Sequence, residues 1–215
     1  MQVLKQGAEA ILYLDEFEGT RVLVKERIKK DYRIEQIDIK LRKERTKEEV
    51  KLLTEARRVG IPTPKIFEVD YEKFKIIMEF IEGERVKEFF SRANKETIEK
   101  ICFEMGRLVG KLHSAGIIHG DLTTSNMILK ENQIYFIDFG LGFFSKKIED
   151  QGVDLNLLFE SLRATHYDIL NICWENIVKG YKQEYRYAEE VLKKVDEIES
   201  RARYAKRKAK GQRQV

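Results

Sequence analysis

Residues 119–140 constrain the fold more than any other part of the chain. They read His119-Gly120-Asp121-Leu122-Thr123-Thr124-Ser125-Asn126, then two short apolar runs at 127–130 and 134–137, then Asp138-Phe139-Gly140. Runs this short around Glu131-Asn132-Gln133 read as an antiparallel hairpin. A hairpin brings its outer ends together. Asn126 lies six residues before Asn132 and Asp138 six after it, so the spacing predicts them as cross-strand neighbours at the open end. An amide oxygen beside a carboxylate suits Mg²⁺, which takes few protein ligands and completes its shell with phosphate and water. Asp121, in the loop leading to that end, suits a carboxylate that accepts or orients the proton of an attacking nucleophile.

The periodicity on either side differs. Before residue 83 the chain is strand-rich, with apolar runs at 10–14, 21–25, 65–69 and 75–80 and a turn at Glu18-Gly19. One helix, roughly 46–59, is predicted between the two pairs of strands, with Leu52, Leu53 and Ala56 on its apolar stripe. Pro62 and Pro64 follow it and stop it. After Gly83 the chain turns helical. Ile98, Ile101, Cys102, Met105, Leu108, Val109 and Leu112 make one continuous apolar stripe, and later helices are expected at 153–164, 168–181 and 186–205. The 127–137 hairpin is the only strand signal here. The expected fold class is α+β in two lobes: a sheet with one main helix at 1–82, a small helical lobe at 83–205, and a tail at 206–215.

Charge separates that tail from the body. Of the 41 Lys and Arg residues, seven lie in 201–215, from Arg201 to Arg213, without an acid among them, which leaves residues 1–200 at a net −3. Such a stretch meets an anionic partner or serves as a solvated end. Two cysteines, Cys102 and Cys173, exclude a disulfide scaffold or a structural zinc site. Both fall in helical runs and read as core. No apolar run approaches the ~20 residues that span a bilayer, and the first six residues have no secretory h-region. A cytoplasmic location without membrane contact is expected.

The stretch 119–140 resembles the catalytic loop and magnesium loop of protein kinases. The resemblance implies ATP and Mg²⁺ as cofactors, Asp121 as the catalytic carboxylate, and Asn126 and Asp138 as metal ligands. It asks for a strand lysine on the nucleotide phosphates, which Lys25 matches; taken alone, Lys25 also fits an exposed strand end. It asks for a helix glutamate to pair with that lysine. Glu49 matches, on the apolar face of its helix, although Thr46-Lys47-Glu48-Glu49 also fits a capping box. Gln6, Gly7, Ala8, Glu9 and Ala10 stand where a glycine-rich phosphate loop is found, without its full glycine pattern, and a plain strand-entry turn fits them too. Met78 matches the gatekeeper, and the backbone of Glu79 and Ile81 the adenine contact. Gly120 replaces the arginine of His-Arg-Asp, and no Ala-Pro-Glu follows Asp138-Phe139-Gly140. The implied enzyme is a reduced kinase that needs no activation-loop phosphate.

Val24-Lys25-Glu26-Arg27 through Arg33, Leu41 to Thr46, Gly60-Ile61-Pro62-Thr63-Pro64, His119 to Asn126 and Val153-Asp154-Leu155 narrow the resemblance. Together they are similar to the PRPK-type small kinases, the kinase/ATPase subunit of the KEOPS (EKC) complex, over nearly the whole chain. That family implies a part in forming N6-threonylcarbamoyladenosine in tRNA, with a carbamoyltransferase-type catalytic subunit and other KEOPS subunits as partners. It also implies that Asp154 anchors the catalytic loop. The basic tail would then offer a contact for tRNA. Two alternatives are a small-molecule kinase of the aminoglycoside or choline type, where His-Gly-Asp also occurs, and a non-catalytic RNA-binding pseudokinase scaffold.

Overall fold

The computed structural model describes residues 2–211, with side chains through residue 202. Its first part is a five-stranded antiparallel sheet in the order β1-β2-β3-β5-β4. The strands are β1 Gln2–Gln6, β2 Ala10–Phe17, β3 Thr20–Arg27, β4 Ile66–Asp70 and β5 Lys75–Glu79. Glu18 and Gly19, both at positive φ, make the two-residue turn between β2 and β3, the primed turn that matches strand twist. In the ladders Leu12 pairs with Lys25 and Lys25 with Ile76, so these three share one face. Tyr13, Val22 and Val24 lie on the opposite face and form a small separate core.

Helix α1, Glu35–Arg58, is inserted between β3 and β4. It is much longer than the helix expected at 46–59. Its first half inverts the usual polarity, which hid it. Ile37 and Ile39 are exposed while Asp38 is fully buried. Asp38 is held by Arg42 at 2.7 Å, by Arg33 and by the Lys30 amide. Ion pairs therefore dock this half, where a hydrophobic stripe docks the other. Leu52, Leu53 and Ala56 enter the main core with the helices of the second part.

The second part holds β6 Glu84–Arg85, the short α2 Val86–Phe89, α3 Lys95–Ser114, β7 Ile117–Ile118, the hairpin β8 Met127–Lys130 and β9 Gln133–Phe136, and β10 Phe143–Phe144. Helices α4 Ile148–Thr165, α5 Leu170–Glu184 and α6 Ala188–Gly211 complete it. The hairpin was not the only strand structure: β6 adds to it as a third strand, and β7 pairs with β10. Two-residue strands carry too little periodicity to be read. Asn94 caps α3 by accepting from the Thr97 amide at 2.9 Å, and every residue of its predicted stripe is buried. Helices α3 and α5 touch backbone to backbone. A Cβ on Gly106 would meet the Ile177 carbonyl at 2.0 Å, and one on Gly180 the Phe103 carbonyl at 2.0 Å. Cys102 and Cys173 are both free and buried in this core.

The α+β architecture with a helical second part is as expected, while the last three helices all start or end a few residues from their predicted bounds. The backbone of α6 continues to Gly211. The basic side chains from Arg203 onward, and with them the tail expected at 206–215, lie outside the described side chains. Among the described residues no helix is long and apolar enough to cross a membrane.

Candidate active site

The loop between β7 and β8 hangs on one buried carboxylate. Asp154, on α4, accepts from the consecutive amides of His119 at 2.8 Å and Gly120 at 2.9 Å. His113 Nε2 donates to the same carboxylate at 3.3 Å, and its Nδ1 accepts from the Tyr181 hydroxyl at 2.8 Å. Burial would raise Asp154, but the hydrogen bond from His113, with the His119 amide, holds it below the ordinary aspartate value. His113 carried no spacing signal; it ties α5, through Tyr181, to the catalytic loop. His119 is buried, with Nδ1 accepting from the Asp121 amide at 3.3 Å and Nε2 donating to the Ile137 carbonyl at 3.2 Å. Burial pushes its pKa below 6.5 against the pull of Asp154, Asp138 and Asp121. A neutral ring with one acceptor and one donor fits both partners.

Gly120 explains why no arginine follows His119. Its φ is +78°, and a Cβ there would meet the Leu141 carbonyl at 2.2 Å. The loop and the segment after the hairpin lie too close for any side chain.

The hairpin corrects the expected register. Its turn has two residues, Glu131 and Asn132, both at positive φ, so Met127 pairs with Phe136. Asn126 therefore faces Ile137, whose amide donates to the Asn126 carbonyl at 3.0 Å. Asp138 comes one residue later, at φ +63°, a left-handed conformation that aspartate tolerates better than most residues. Asn126 Nδ2 donates to the Asp121 carbonyl at 2.9 Å and to Asp121 Oδ2 at 2.8 Å. Its amide oxygen is thus turned away from Asp121.

Across from this loop, Lys25 Nζ lies 2.6 Å from Glu49 Oε1 and 2.7 Å from Asp138 Oδ1. Glu49 is 1% exposed in mid-helix. Thr46 bonds back to the Arg42 carbonyl, and α1 starts eleven residues before Thr46, so no capping box forms. Burial would lower Lys25, but Glu49 and Asp138 raise it above the ordinary lysine value. Burial would raise Asp138, but Lys25 holds it below the ordinary aspartate value.

A cleft of about 250 Å³ opens between the two parts, lined by Gly7, Ala8, Glu9, Ala10, Lys25, Asp121 and Asp138. Glu49 stands behind Lys25, and Asn126 behind Asp121. Gln6 ends β1 opposite Ile11. Met78, Glu79 and Ile81 do not line the cleft. Met78 and Ile81 are buried, and the Glu79 amide donates to the Lys65 carbonyl at 2.7 Å. Glu79 pairs with Val22, three residues along β3 from Lys25, roughly 10 Å at strand rise. The cleft also takes in Lys5, Arg27, Arg45, Gly140 and Leu141, which the motifs did not single out. The loop at 7–10 is fastened to neighbouring residues. Gly7 N donates to the Ala10 carbonyl, Lys30 Nζ to the Ala8 carbonyl, and Glu9 accepts from Arg45 at 2.7 Å and Arg33 at 3.4 Å. Among the described residues no group of three or more His, Cys, Asp or Glu could hold a metal. Asn126 and Asp138 offer two oxygen ligands, the donor set of a cation whose shell is completed by substrate and water.

The RIO domain family matches residues 14–142. The KEOPS complex subunit Bud32 of Pyrococcus abyssi is 51% identical, over 96% of this chain and 98% of its own length. The chain belongs to the Bud32 family. Bud32 similarity extends to a probable serine/threonine-protein kinase BUD32 homolog of Archaeoglobus fulgidus, 45% identical over 88% of this chain and 92% of that one. A probable bifunctional tRNA threonylcarbamoyladenosine biosynthesis protein of Methanosarcina mazei is 47% identical over 95% of this chain, which spans 36% of that longer protein. The family named from the motifs is therefore the right one, and with it a kinase-like fold of the atypical kinase class.

Proposed function

We propose that this chain is an ATP-dependent serine/threonine kinase and ATPase that supports N6-threonylcarbamoyladenosine formation in tRNA as a KEOPS subunit. The observation that carries this reading is Lys25, placed in the cleft between Glu49 and Asp138 and facing Asp121. Lys25 holds the α- and β-phosphates, and Glu49 keeps it extended. Asn126 and Asp138 would hold Mg²⁺, which would supply positive charge to offset that of the phosphates. Asp121 orients the nucleophile, a hydroxyl or a water. Gln6, Gly7, Ala8, Glu9 and Ala10 cover the phosphates. The cleft volume suits the phosphate chain, while the base lies toward Met78 and the backbone of Glu79 and Ile81.

Residues 1–82 are the nucleotide lobe and 83–205 the helical lobe in this reading, with 206–215 as a basic segment for tRNA. The names of the relatives support the assembly: one is a KEOPS subunit, and others carry this unit within a longer bifunctional protein of tRNA threonylcarbamoyladenosine biosynthesis. A carbamoyltransferase-type subunit is the expected partner. The test is ATP turnover by the purified chain, alone and with that partner and tRNA. Turnover that rises with both supports the reading. Turnover indifferent to both, but stimulated by an aminoglycoside or choline, replaces it with a small-molecule kinase.

A further inference from the structure

Lys25 is not alone on Glu49. Arg27, two residues along β3, falls on the same face of the strand and is 5% exposed. Its Nη2 lies 2.5 Å from Glu49 Oε2, while Lys25 takes Oε1. The same Nη2 reaches the Arg45 carbonyl at 3.4 Å, four residues, or about one helical turn, before Glu49 on α1. Arg27 Nε is buried without an acceptor. The contacts of Nη2 must therefore offset the desolvation cost of Nε.

We infer that Arg27 is a positioning residue that clamps Glu49, and through it Lys25, into the assembled geometry. The inference rests on the kinase reading above. Two carboxylates, Glu49 and Asp138, compete for one ammonium. With Asp138 given to a cation, Lys25 would depend on Glu49 alone. Arg27 supplies the missing cation and bonds Glu49 and the preceding turn of α1 together. Gly140 makes room for this cluster: a Cβ there would stand 3.2 Å from Lys25 Nζ and 3.5 Å from Arg27 Nη2. The clamp would keep Glu49 and Lys25 assembled without a phosphate switch, which is consistent with glycine at position 120.

The test is a double-mutant cycle read in steady-state ATP turnover with Mg²⁺. Arg27→Gln lowers kcat about tenfold or more and changes the KM for ATP less than about threefold. Arg27→Lys, which keeps the ion pair, stays within several-fold of the wild type. Glu49→Gln also lowers kcat, and adding Arg27→Gln to it causes little further loss, because Arg27 acts through Glu49. Multiplicative losses overturn the clamp, as does a raised KM with kcat intact, which marks a direct phosphate contact. Should Arg27→Gln fail to fold, Arg27→Lys decides: a kcat as low as that of Glu49→Gln overturns the clamp, and one near wild type supports it. An active wild type matched by Arg27→Gln sinks the clamp alone. A wild type without turnover sinks the kinase reading and the clamp with it.

Discussion

Lys25 Nζ and Asp138 Oδ1 stand 2.7 Å apart across 113 residues of sequence. This ion pair joins the strand that carries the lysine to the residue that follows the catalytic hairpin. It is half-open: Lys25 is buried, while the Asp138 side chain is 49% exposed to the cleft. In the proposed reading, the exposed Asp138 carboxylate would be free to turn from the lysine to a cation while Glu49 keeps Lys25 in place.

Asp121→Asn lowers turnover by about 100-fold or more, the usual scale for loss of a proton-accepting side chain. ATP affinity stays near wild type, since in the proposed reading Asp121 orients the nucleophile and does not hold the phosphates. Equilibrium nucleotide binding and steady-state turnover, measured side by side, check this. A loss of binding with unchanged turnover per bound ATP contradicts the assigned role.

Stability is expected to fall as pH drops from 7 toward 5. The folded state depresses the pKa of His119 below 6.5, so below that pH the unfolded chain takes up a proton that the folded chain refuses. His166 is depressed by burial and by Lys87 and acts in the same window. Asp138 and Asp154, both lowered, extend the loss to more acid pH. The raised Lys25 has the opposite sign: its contribution is complete below its ordinary pKa of 10.5 and is lost as pH rises past its folded value. Urea unfolding across this range gives the profile. His119→Asn flattens the segment between pH 7 and 5 without abolishing it.

Gly120→Ala should destabilise the catalytic loop by about 1–3 kcal/mol, from a left-handed φ and a forced contact. Turnover falls further than global stability accounts for, because the Leu141 carbonyl must move and Asp138 with it. Denaturant melts and kcat for the same variant separate the two effects. Equal activity at matched fraction folded refutes the close-approach argument.

Much of the site was legible because its residues are near in sequence. Asp121, Asn126 and Asp138 are placed by one loop and one hairpin, and the α3 stripe reads directly as core. The hairpin register slipped by one because Gln133 pairs with Lys130 instead of joining the turn. Arg27 was missed for another reason. A charged residue ending a strand reads as exposed unless its partner is known, and that partner, Glu49, lies 22 residues away on a helix. Asp38 defeated the pattern in the same way, as a buried acid satisfied by arginines, so half of α1 went unread.

Deleting 206–215 should weaken tRNA binding and flatten its salt dependence, since five of the tail's cations are removed. Thermal stability barely changes, because Val191 and Val195, which seat α6 in the core, remain. Filter binding at several salt concentrations and a thermal melt settle both points. Affinity unaffected at every salt concentration removes the tail from the RNA interface.

The most direct test of the account is Mg²⁺-dependent ATP turnover by wild type and Asp138→Ala at matched protein concentration. The geometry predicts a folded variant, with a cooperative melt, whose turnover is lower by about 100-fold or more, and a wild type that stops when Mg²⁺ is chelated. An Asp138→Ala variant that turns over ATP at the wild-type rate, with the same dependence on Mg²⁺, would contradict it.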